Sequence, residues 1–419
     1  MPPFCPLSHY ASVCLSTLPS NITKPKSQNT ERKARRKGHH FMMTEEHKVE
    51  AETEAQVAIH PDVWETIFSY LPLINLLPAS RVSKSWNAAA FSSLRFNKTK
   101  PWLIVHTQNI RAPHATTAFA YDPRSEVWLQ IHQNLPTRHV SALRSSNSTL
   151  LYVLIPSKFS FSIDPFHLTW RHVKPPAVWR TDPVVALVGH RIVVAGGACD
   201  FEDDPLAVEI YDINTRTWEK SESMPATLKG SAASTWLSVA ANTKTMYVMQ
   251  KMSGVTHSFN PSSKIWSGPY NLRPDRNIYF SVIRFRVDSL IMLGLLGDPE
   301  NPNGMKVWEL SGESLEFCKE IGMMPKELVE KLKGEGPSFS SVIVNSMADI
   351  FCIYNPEEPE ELVVFEVGHK GLCRWGSLKN AAVSDRGMVA ERMVLTCSDV
   401  GLGDLGRAVW SGQGSFTVI

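Results

Sequence analysis

The sequence has no apolar run long enough to cross a membrane. A membrane helix needs about 18 or more consecutive apolar residues, and no stretch of the 419 residues approaches that length. The chain does not begin with a basic segment followed by a long apolar block, so we expect no signal peptide. The Asn-x-Thr triplets at Asn21, Asn97 and Asn147 are therefore interpreted as chance matches to a glycosylation signal.

Paired cysteines and excess charge are also lacking. The seven cysteines, at positions 5, 14, 199, 318, 352, 373 and 397, are odd in number and scattered, which argues against a disulfide framework and against a zinc site. The net charge is only +2 and the pI about 8.1, so we expect no nucleic-acid partner and no membrane binding. This composition favours an intracellular, soluble protein, in the cytoplasm and/or the nucleus.

Catalytic motifs are missing as well. The chain has no Gly-x-Ser-x-Gly, phosphate loop or His-Glu-x-x-His. The segment Gly401–Gly406 fits the dinucleotide-binding pattern, but only 13 residues follow it, so it is predicted to be a turn between C-terminal elements. The 14 histidines are dispersed and form no ligand pair within a repeat unit. We therefore predict that the chain is not an enzyme and has no catalytic residue, cofactor or metal.

The first 55 residues cannot form a core. They are rich in Pro, Ser, Thr and Asn, with a basic run from Arg32 to Lys37 and then acidic residues up to Glu54. We predict a disordered tail over residues 1–55. The basic run fits a nuclear import signal, a nucleic-acid patch or simply solvated charge. Met42 and Met43 are alternative translation starts that would remove it.

What the sequence does contain is a repeated phrase: an apolar residue, then Asp or Asn, then a turn, then a tryptophan seven residues after the start. The four copies are Tyr121–Trp128, Ile163–Trp170, Tyr211–Trp218 and Phe259–Trp266. Looser copies begin at Trp308 and Phe365, so the phrases lie 42 to 57 residues apart. A period in this range indicates stacked or radially arranged units.

Each phrase has the composition of a β-hairpin, because Asp-Pro or Asn starts a turn between two apolar strands. Further β-rich runs, such as Arg191–Ala195 and Thr245–Met249, precede the phrases and give about four short strands per unit. Four strands make one propeller blade, whose faces must be covered by neighbouring blades. The phrase tryptophans are therefore predicted to be packing residues and not a ligand cage.

One unit carries a fuller signature: Gly196-Gly197, Tyr211-Asp212 and Trp218. This unit resembles the kelch repeat, and the resemblance implies a mainly β fold with a kelch-like β-propeller over residues 101–419. Six phrases favour six blades, while a surplus strand at Ala408–Trp410 keeps seven open. A WD-repeat propeller is the runner-up, although no unit pairs a Gly-His opening with a Trp-Asp close.

Closure of the ring needs a contribution from the far end of the chain. The unit ending at Trp128 has three clear strands where a closed blade needs four. The apolar run Arg392–Cys397 follows the last unit and is predicted to supply the missing strand. Such pairing leaves no open sheet edge between the two ends of the propeller.

Upstream of the repeats, the apolar period becomes that of a helix. Apolar residues recur with helical spacing at Val63, Trp64, Ile67, Phe68 and Leu71. Pro61 suits the first helical turn and Pro72 ends the helix. Two further short apolar segments follow, so we predict a small three-helix domain over residues 56–97.

This domain resembles an F-box, with two Pro positions, an Ile/Leu-rich helix, a leucine pair and Val-x-Lys-x-Trp. His60 departs from the family, which usually has leucine there. The resemblance implies that one set of residues contacts a Skp-type adaptor: Pro61, Ile67, Phe68, Leu71, Pro72, Leu76, Val82 and Trp86. The alternative is an ordinary helical cap on the propeller.

The two parts together resemble the plant F-box/kelch-repeat family. That resemblance implies a substrate receptor of a Skp-cullin-F-box ubiquitin ligase. The helices would bind the adaptor and through it a cullin, and the propeller would hold an unidentified target protein. Two other functions stay open: a scaffold outside the ligase, and a propeller enzyme with an incidental helical cap.

The long connections of a four-strand meander all emerge on one face, opposite the tight Asp-Pro hairpins. The connections between blades carry aromatic and arginine residues typical of binding hot spots. We predict that these residues contact the target: Arg138, His139, Trp179, Arg180, Tyr270, Arg273 and Arg276. The alternative is that the arginines pair with acidic residues of the same face, at Glu202–Asp204 and Glu357–Glu358.

Overall fold

A computed structural model describes most of the chain. The described residues are 59–96, 100–109, 116–133, 141–146, 149–200, 203–287, 289–368, 371–383, 391–410 and 414–419. The predicted disordered tail over residues 1–55, with its basic run, lies outside the described residues.

Three short helices precede the strands, as predicted: α1 (Pro61–Ser69), α2 (Leu73–Ala79) and α3 (Lys84–Ser93). Proline at the first position of α1 costs no hydrogen bond, and Pro72 separates α1 from α2. Helix α3 starts where the Ser83 hydroxyl accepts the Trp86 backbone N–H at 3.1 Å, an N-terminal cap. Local sequence signals therefore account for where these helices begin and end.

Six antiparallel sheets follow, which confirms the six-bladed propeller. Blade 1 contains β1 (Trp102–Asn109), β2 (Thr116–Asp122) and β3 (Val127–Gln133). Blade 2 contains β4 (Arg144–Ser145), β5 (Leu151–Ile155), β6 (Lys158–Ser162) and β7 (Arg171–Val173). Blade 3 contains β8 (Val184–Val188), β9 (Arg191–Ala195), β10 (Val208–Asp212) and β11 (Thr217–Lys220).

The remaining blades follow the same order from the inner to the outer strand. Blade 4 contains β12 (Leu237–Ala241), β13 (Met246–Gln250), β14 (Val255–Asn260) and β15 (Ile265–Asn271). Blade 5 contains β16 (Ile278–Arg286), β17 (Ser289–Gly297), β18 (Pro302–Ser311) and β19 (Phe317–Met323). Helix α4 (Lys326–Lys333) connects it to blade 6, with β20 (Ile343–Met347), β21 (Ile350–Tyr354), β22 (Glu361–Val367) and β23 (Cys373–Lys379).

The repeated phrase is the hairpin between the third and fourth strands of a blade. The residue two before the tryptophan takes a left-handed backbone in all four copies: Glu126 (φ 56°), Leu168 (51°), Arg216 (62°) and Lys264 (62°). Its N–H bonds the carbonyl of the phrase Asp or Asn four residues earlier, at 2.8 to 2.9 Å. The Asp212 carboxylate also accepts the backbone N–H of Asn214 and Thr215. This turn fixes the seven-residue spacing.

The tryptophan lies directly opposite the first residue of the phrase in three of these hairpins and in blade 6. The cross-strand pairs are Tyr121 with Trp128, Tyr211 with Trp218, Phe259 with Trp266, and Phe365 with Trp375. Their ring centroids are 4.5 to 5.2 Å apart. Trp128 is buried, while Trp170, Trp218 and Trp266 are half-buried against apolar clusters. Such aromatic pairs stabilise neighbouring strands.

The indole N–H also links blades. Trp218 donates to the Lys174 carbonyl at 2.9 Å, and Trp266 to the Glu222 carbonyl at 3.4 Å, in both cases just after the outer strand of the preceding blade. Trp128 of blade 1 donates to the Lys379 carbonyl of blade 6 at 3.1 Å. The phrase tryptophan is therefore a packing residue with a polar role between blades, as well as within its own sheet.

Replacing Trp218 by phenylalanine is expected to lower the free energy of unfolding by about 1 kcal/mol, because the bond to Lys174 is lost. Alanine should cost about 2–4 kcal/mol, since the ring contacts with Tyr211 and Phe159 are lost too. Chemical denaturation of both variants measures these values. The exposed Trp236, changed to phenylalanine, is the control; equal stabilities for wild type and the Trp218→Phe variant would contradict the role of the hydrogen bond.

The glycine doublet has a geometric cause. Gly196 and Gly197 have φ of 65° and 94°, where side chains are disfavoured. A Cβ at Gly196 would lie 2.4 Å from the Ala232 carbonyl oxygen, and one at Gly197 would lie 2.7 Å from that of Thr181. The doublet therefore lets the end of β9 approach the connections on either side of blade 3.

The C-terminal segment closes the ring, as predicted. Strand β24 (Glu391–Ser398) pairs with β1 over eight positions and is the inner strand of blade 1. Helix α5 (Leu402–Trp410) and then β25 (Gly414–Val418), a fifth strand beside β3, complete the chain. Two predictions were wrong here, because Gly401–Gly406 is not a simple turn and Ala408–Trp410 is not a strand. Both segments contribute to α5, whose Leu402 and Leu405 are buried on one side.

The three-helix domain is packed onto blade 1 through α5. The buried apolar residues of this contact are Phe68, Leu73, Leu76, Leu77, Trp102, Ile104, Leu402 and Leu405. Two hydrogen bonds show which end of the propeller strands the helices cover. Arg124, in the β2–β3 hairpin, donates to the Ser69 carbonyl at 2.6 Å, and His167, in the β6–β7 hairpin, donates to the Asp404 carbonyl at 3.2 Å. The three-helix domain therefore lies at the hairpin end of blade 1, and α5 reaches the hairpin end of blade 2.

Candidate protein-binding surfaces

The predicted adaptor residues divide into three groups by exposure. Pro61, Ile67 and Val82 are exposed; Leu71, Pro72 and Trp86 are half-buried; Phe68 and Leu76 are buried. The first two groups lie where a partner can reach them. Phe68 and Leu76 are 2% and 0% exposed, so in this structure they support the helices from inside and do not form a surface.

An aromatic cluster holds α1 against α3. Trp64, Phe68 and Trp86 have ring centroids 4.5 to 5.8 Å apart, with Trp86 in contact with both other rings. The ion pair between the buried Glu65 of α1 and Arg95 adds a polar link. His60, the departure from the family pattern, caps α1 by accepting the Asp62 N–H at 3.4 Å. These contacts fix the orientation of α1.

A second apolar side of α1 faces solvent. Val63 and Ile67 of the helix are 48% and 43% exposed, and Ile59 just before it and Tyr70 just after it are 47% and 78% exposed; we call these four residues the α1 face. Their spacing places them on one side of the helix. Sequence periodicity assigned Val63 and Ile67 to one apolar face with Trp64 and Phe68, because a helix that is apolar on two sides gives one broad stripe.

The opposite end of the propeller carries the turns between second and third strands and the connections between blades. We call it the connection face. Of the predicted target residues, Arg273 and Arg276 are exposed there, Trp179 and Tyr270 are half-buried, and Arg138 and His139 lie outside the described residues. Tyr270 is in β15 and not in a connection. Arg273 donates to the Ile278 carbonyl at 3.1 Å, which orders its own connection.

Arg180 is buried, so the prediction that it contacts a target directly was wrong. Its guanidinium is 1% exposed and lies 2.6 Å from the Glu209 carboxylate in β10. Glu209 also accepts the backbone N–H groups of Ala177 and Val178. Burial lowers the pKa of Arg180, and Glu209 opposes this shift. The pair holds the connection between blades 2 and 3 against β10. From the sequence alone, an arginine with this role looks the same as an arginine on the surface.

An apolar pocket of about 430 Å³ opens on the connection face between blades 4, 5 and 6. It is lined by Trp236, Met252, Phe280, Pro299, Val342 and Pro356, among others. Trp236 and Met252 are both 56% exposed. Sequence reasoning missed both residues, because Trp236 stands outside the repeated phrase and Met252 follows an ordinary strand. An exposed tryptophan beside an apolar pocket is typical of a protein-binding hot spot.

A polar cavity of about 520 Å³ adjoins this pocket in the centre of the ring. Its charged lining residues are Arg144, Asp182, Lys251, Arg284 and Arg392. Asp182 accepts hydrogen bonds from Arg144 at 2.5 Å, from Ser234 at 2.6 Å and from the Thr235 backbone. Burial opposes ionisation of Asp182, but these bonds outweigh it and lower its pKa. The one sequence signal was Arg284, a charge within the otherwise apolar run Phe280–Phe285.

Within the described part of the chain, no group of three or more His, Cys, Asp or Glu side chains is arranged to hold a metal ion. Among the same residues, no helix has the length and apolarity that crossing a membrane requires.

The helices and the sheets define a class: a three-helix module of F-box type joined to a six-bladed propeller of kelch type. The F-box-like family matches residues 61–98, and the Kelch motif family matches residues 179–225. An F-box/kelch-repeat protein of Arabidopsis thaliana is 47% identical over 364 residues, covering 84% of this chain and 92% of that protein. The chain belongs to the F-box/kelch-repeat family.

Solved structures give weaker similarities. A putative 6-phosphogluconolactonase from Bacteroides uniformis is 10% identical, with a TM-score of 0.41, over 71% of this chain and 100% of that one. A second, from Bacteroides fragilis, is 12% identical, with a TM-score of 0.40, over 72% and 99%. Neither similarity is strong enough to bear on function.

Proposed function

We propose that this protein is the substrate-recognition subunit of a Skp-cullin-F-box ubiquitin ligase. The observation that carries the proposal is that two exposed candidate binding surfaces, the α1 face and the connection face, lie at opposite ends of the propeller strands. The F-box-type helices lie at the hairpin end of blade 1, and their α1 face is exposed. The connection face, with its apolar pocket, lies at the other end of the strands.

The α1 face is the proposed adaptor surface, together with Pro61, Val82 and the half-buried Leu71, Pro72 and Trp86. Its exposed residues are apolar, and a partner that covers them gains about 25 cal/mol for each Å² removed from water. The aromatic cluster behind them fixes the helix before binding, which limits the entropic cost of association.

The connection face is the proposed target surface. Trp236 and Met252 supply exposed apolar anchors, and Arg273 and Arg276 supply exposed cations in the connection between blades 4 and 5. In the described residues, neither arginine forms an ion pair with the acidic residues of the same face. Carboxylate or phosphate groups of a target would suit these arginines through bidentate hydrogen bonds.

Affinity purification of the full-length chain with a ligase inhibitor present, followed by mass spectrometry, tests the proposal. A ligase receptor is expected to recover a Skp-type adaptor, a cullin and a target whose abundance rises when the protein is lost. Recovery of partners without any change in their abundance would instead support a scaffold. Absence of the adaptor would contradict the proposal.

Changing Trp236 and Met252 together to alanine is expected to reduce target recovery about tenfold or more, because two exposed anchors of the pocket are removed. Adaptor recovery should stay at the wild-type level. Quantitative mass spectrometry of both variants and wild type measures the ratio of target to adaptor.

The exposed Phe317 and Ile265, on outer strands of blades 5 and 4, are the matched control for that variant. Their double alanine change removes similar apolar area away from the pocket. An equal loss of target from both double variants would contradict the assignment of the pocket. A third variant, with Arg273 and Arg276 changed to alanine, separates the contribution of charge from that of apolar contact.

A further inference from the structure

The central cavity brings together more positive than negative charge. Four cations line it, contributed by inner strands β4, β16 and β24 and by the end of β13: Arg144, Arg284, Arg392 and Lys251. Asp182 is the single carboxylate among the described lining residues, and it is occupied by Arg144 and by Ser234 and Thr235. Four cations against one carboxylate give the described lining an excess of three positive charges.

Arg284 is the most deeply buried of these cations, at 5% exposure. Its hydrogen bonds go to the Val344 carbonyl at 2.7 Å, the Val239 carbonyl at 2.8 Å and the Ile283 carbonyl at 2.6 Å. Within the described residues it has no carboxylate partner, and burial alone lowers its pKa to about 9. Burying a cation without a partner anion costs free energy, so an anion that reaches Arg284 is strongly attracted to it.

Lys251 lies at the junction of the cavity and the apolar pocket, since it lines both. Its ammonium donates to the Thr235 carbonyl at 2.8 Å and the Ser234 carbonyl at 3.3 Å. An ammonium has three protons, so one donor is left beyond these two bonds. Burial lowers the pKa of Lys251 to about 8, Arg284 adds to this shift, and Asp182 opposes it.

We propose that the central cavity is a binding site for a small oxyanion, a phosphate or carboxylate compound held by Lys251, Arg284 and the neighbouring arginines. The volume of about 520 Å³ is in the range of small-molecule sites. A cavity lined by one sign of charge within low-dielectric walls concentrates ions of the other sign. This site is separate from the α1 face and does not depend on the ligase function.

The oxyanion has two sources: a free small molecule, or an acidic side chain of a bound target that enters the cavity. Both sources present the same oxyanion chemistry to the cavity, but added phosphate has a different effect on each. If saturating inorganic phosphate displaces target from the purified complex, the target supplies the anion. If phosphate binds and the target stays, the ligand is a separate small molecule.

The first test is thermal denaturation and calorimetry of the full-length chain with inorganic phosphate or citrate, against chloride at equal ionic strength. We expect saturable binding and a rise in melting temperature at low millimolar concentrations. Lys251→Gln and Arg284→Gln should each weaken phosphate binding about 10- to 100-fold, the effect of losing one charged hydrogen bond. Lys251→Arg, which keeps the charge, should retain binding.

Lys264→Gln is the matched control, because Lys264, in the β14–β15 hairpin, pairs with Glu219 of the outer strand β11, away from the cavity. It should bind phosphate as wild type does. Each variant is compared with itself in chloride, so a change in its basal stability does not affect the result. If wild type shows no saturable binding of either anion, or if the control weakens binding as much as Lys251→Gln, the inference is overturned.

The pH dependence gives an independent readout, with sulfate as the probe because its charge is constant from neutral to alkaline pH. Lys251 loses its charge as pH rises through about 8, and Arg284 through about 9. Asp182 stays ionised, and Tyr152 and Tyr354 stay neutral because burial raises the pKa of each, that of Tyr152 to about 12. Burial, and to a lesser extent Arg144, lower the pKa of Arg392, which acts in the same direction as the shifts of Lys251 and Arg284. Sulfate affinity should therefore fall by up to about tenfold per pH unit between pH 8 and 9, and more steeply above 9, where Arg284 also loses its charge. Constant affinity from pH 7 to 9.5 would contradict the role of Lys251.

Discussion

Changing Val63 and Ile67 together to glutamate is expected to abolish recovery of a Skp-type adaptor while the propeller stays folded. Both side chains are nearly half exposed on the α1 face, so the helix tolerates the change. Two carboxylates in a buried apolar interface would cost several kcal/mol, which corresponds to a loss of affinity of at least about 100-fold. Pull-down with the adaptor and a melting curve of the variant measure the two effects.

The matched control is Ile265→Glu, the same substitution at an exposed isoleucine of β15 in blade 4. Its adaptor recovery should equal that of wild type. Leu71 and Pro72 are less suitable positions, because both are half-buried and their replacement also disturbs helix packing. Undiminished adaptor binding by the double glutamate variant would contradict the assignment of the α1 face.

Ending the chain at residue 390 is expected to give an insoluble or protease-sensitive protein. The truncation removes β24, and with it eight paired positions of β1 and the buried Leu395 and Cys397. It also removes α5, on which the F-box-type helices pack. Folded domains typically have a free energy of unfolding of only about 5–15 kcal/mol, and we expect the removal of these contacts to abolish it.

Ending the chain at residue 413 is the control, because it removes β25 alone. That strand is the fifth and outermost of blade 1, and the blade keeps its four-stranded core. We expect a soluble protein whose melting temperature falls by only a few degrees. Solubility, limited proteolysis and melting temperature distinguish the two truncations. An unchanged melting temperature for the chain ending at residue 390 would contradict the closure of the ring by β24.

The sequence predicted the propeller because its hairpins are locally encoded. The Asp or Asn, the left-handed residue and the tryptophan of each phrase lie within eight residues, so their spacing survives as a visible pattern. The pairing of β24 with β1 was also predictable, since blade 1 lacked a strand and one apolar run had no other place. The hairpins follow from local sequence, and the β24–β1 pairing follows from the number of strands that a closed ring requires.

The misassigned residues depend on contacts between distant segments. Ala408–Trp410 has the composition of a short strand, but buried Leu402 and Leu405 in the same stretch make it part of a helix beneath the F-box-type module. Arg180 is in a connection, where charges are usually exposed, and only its contact with Glu209 shows that it is buried. Phe68 fits the family pattern, which does not say whether a residue faces the partner or the core.

The central cavity was missed for the same reason. Arg144, Lys251, Arg284 and Arg392 are spread over about 250 residues of sequence and four different blades. Each one alone resembles an ordinary charge at the end or in the middle of a strand. Only the folded ring brings these four cations to the same cavity, so Arg284 within its apolar run was a signal of one unusual charge and not of an anion site.

The position of α5 has a consequence for synthesis of the protein. The F-box-type helices are synthesised before the propeller strands, but the leucines that cover their inner side, Leu402 and Leu405, follow β24 in the chain. Until then Leu73, Leu76 and Leu77 lack part of their apolar support. A nascent or prematurely terminated chain thus exposes these leucines to chaperones and proteases. The order of synthesis therefore makes the packing of the F-box-type helices dependent on a closed propeller ring.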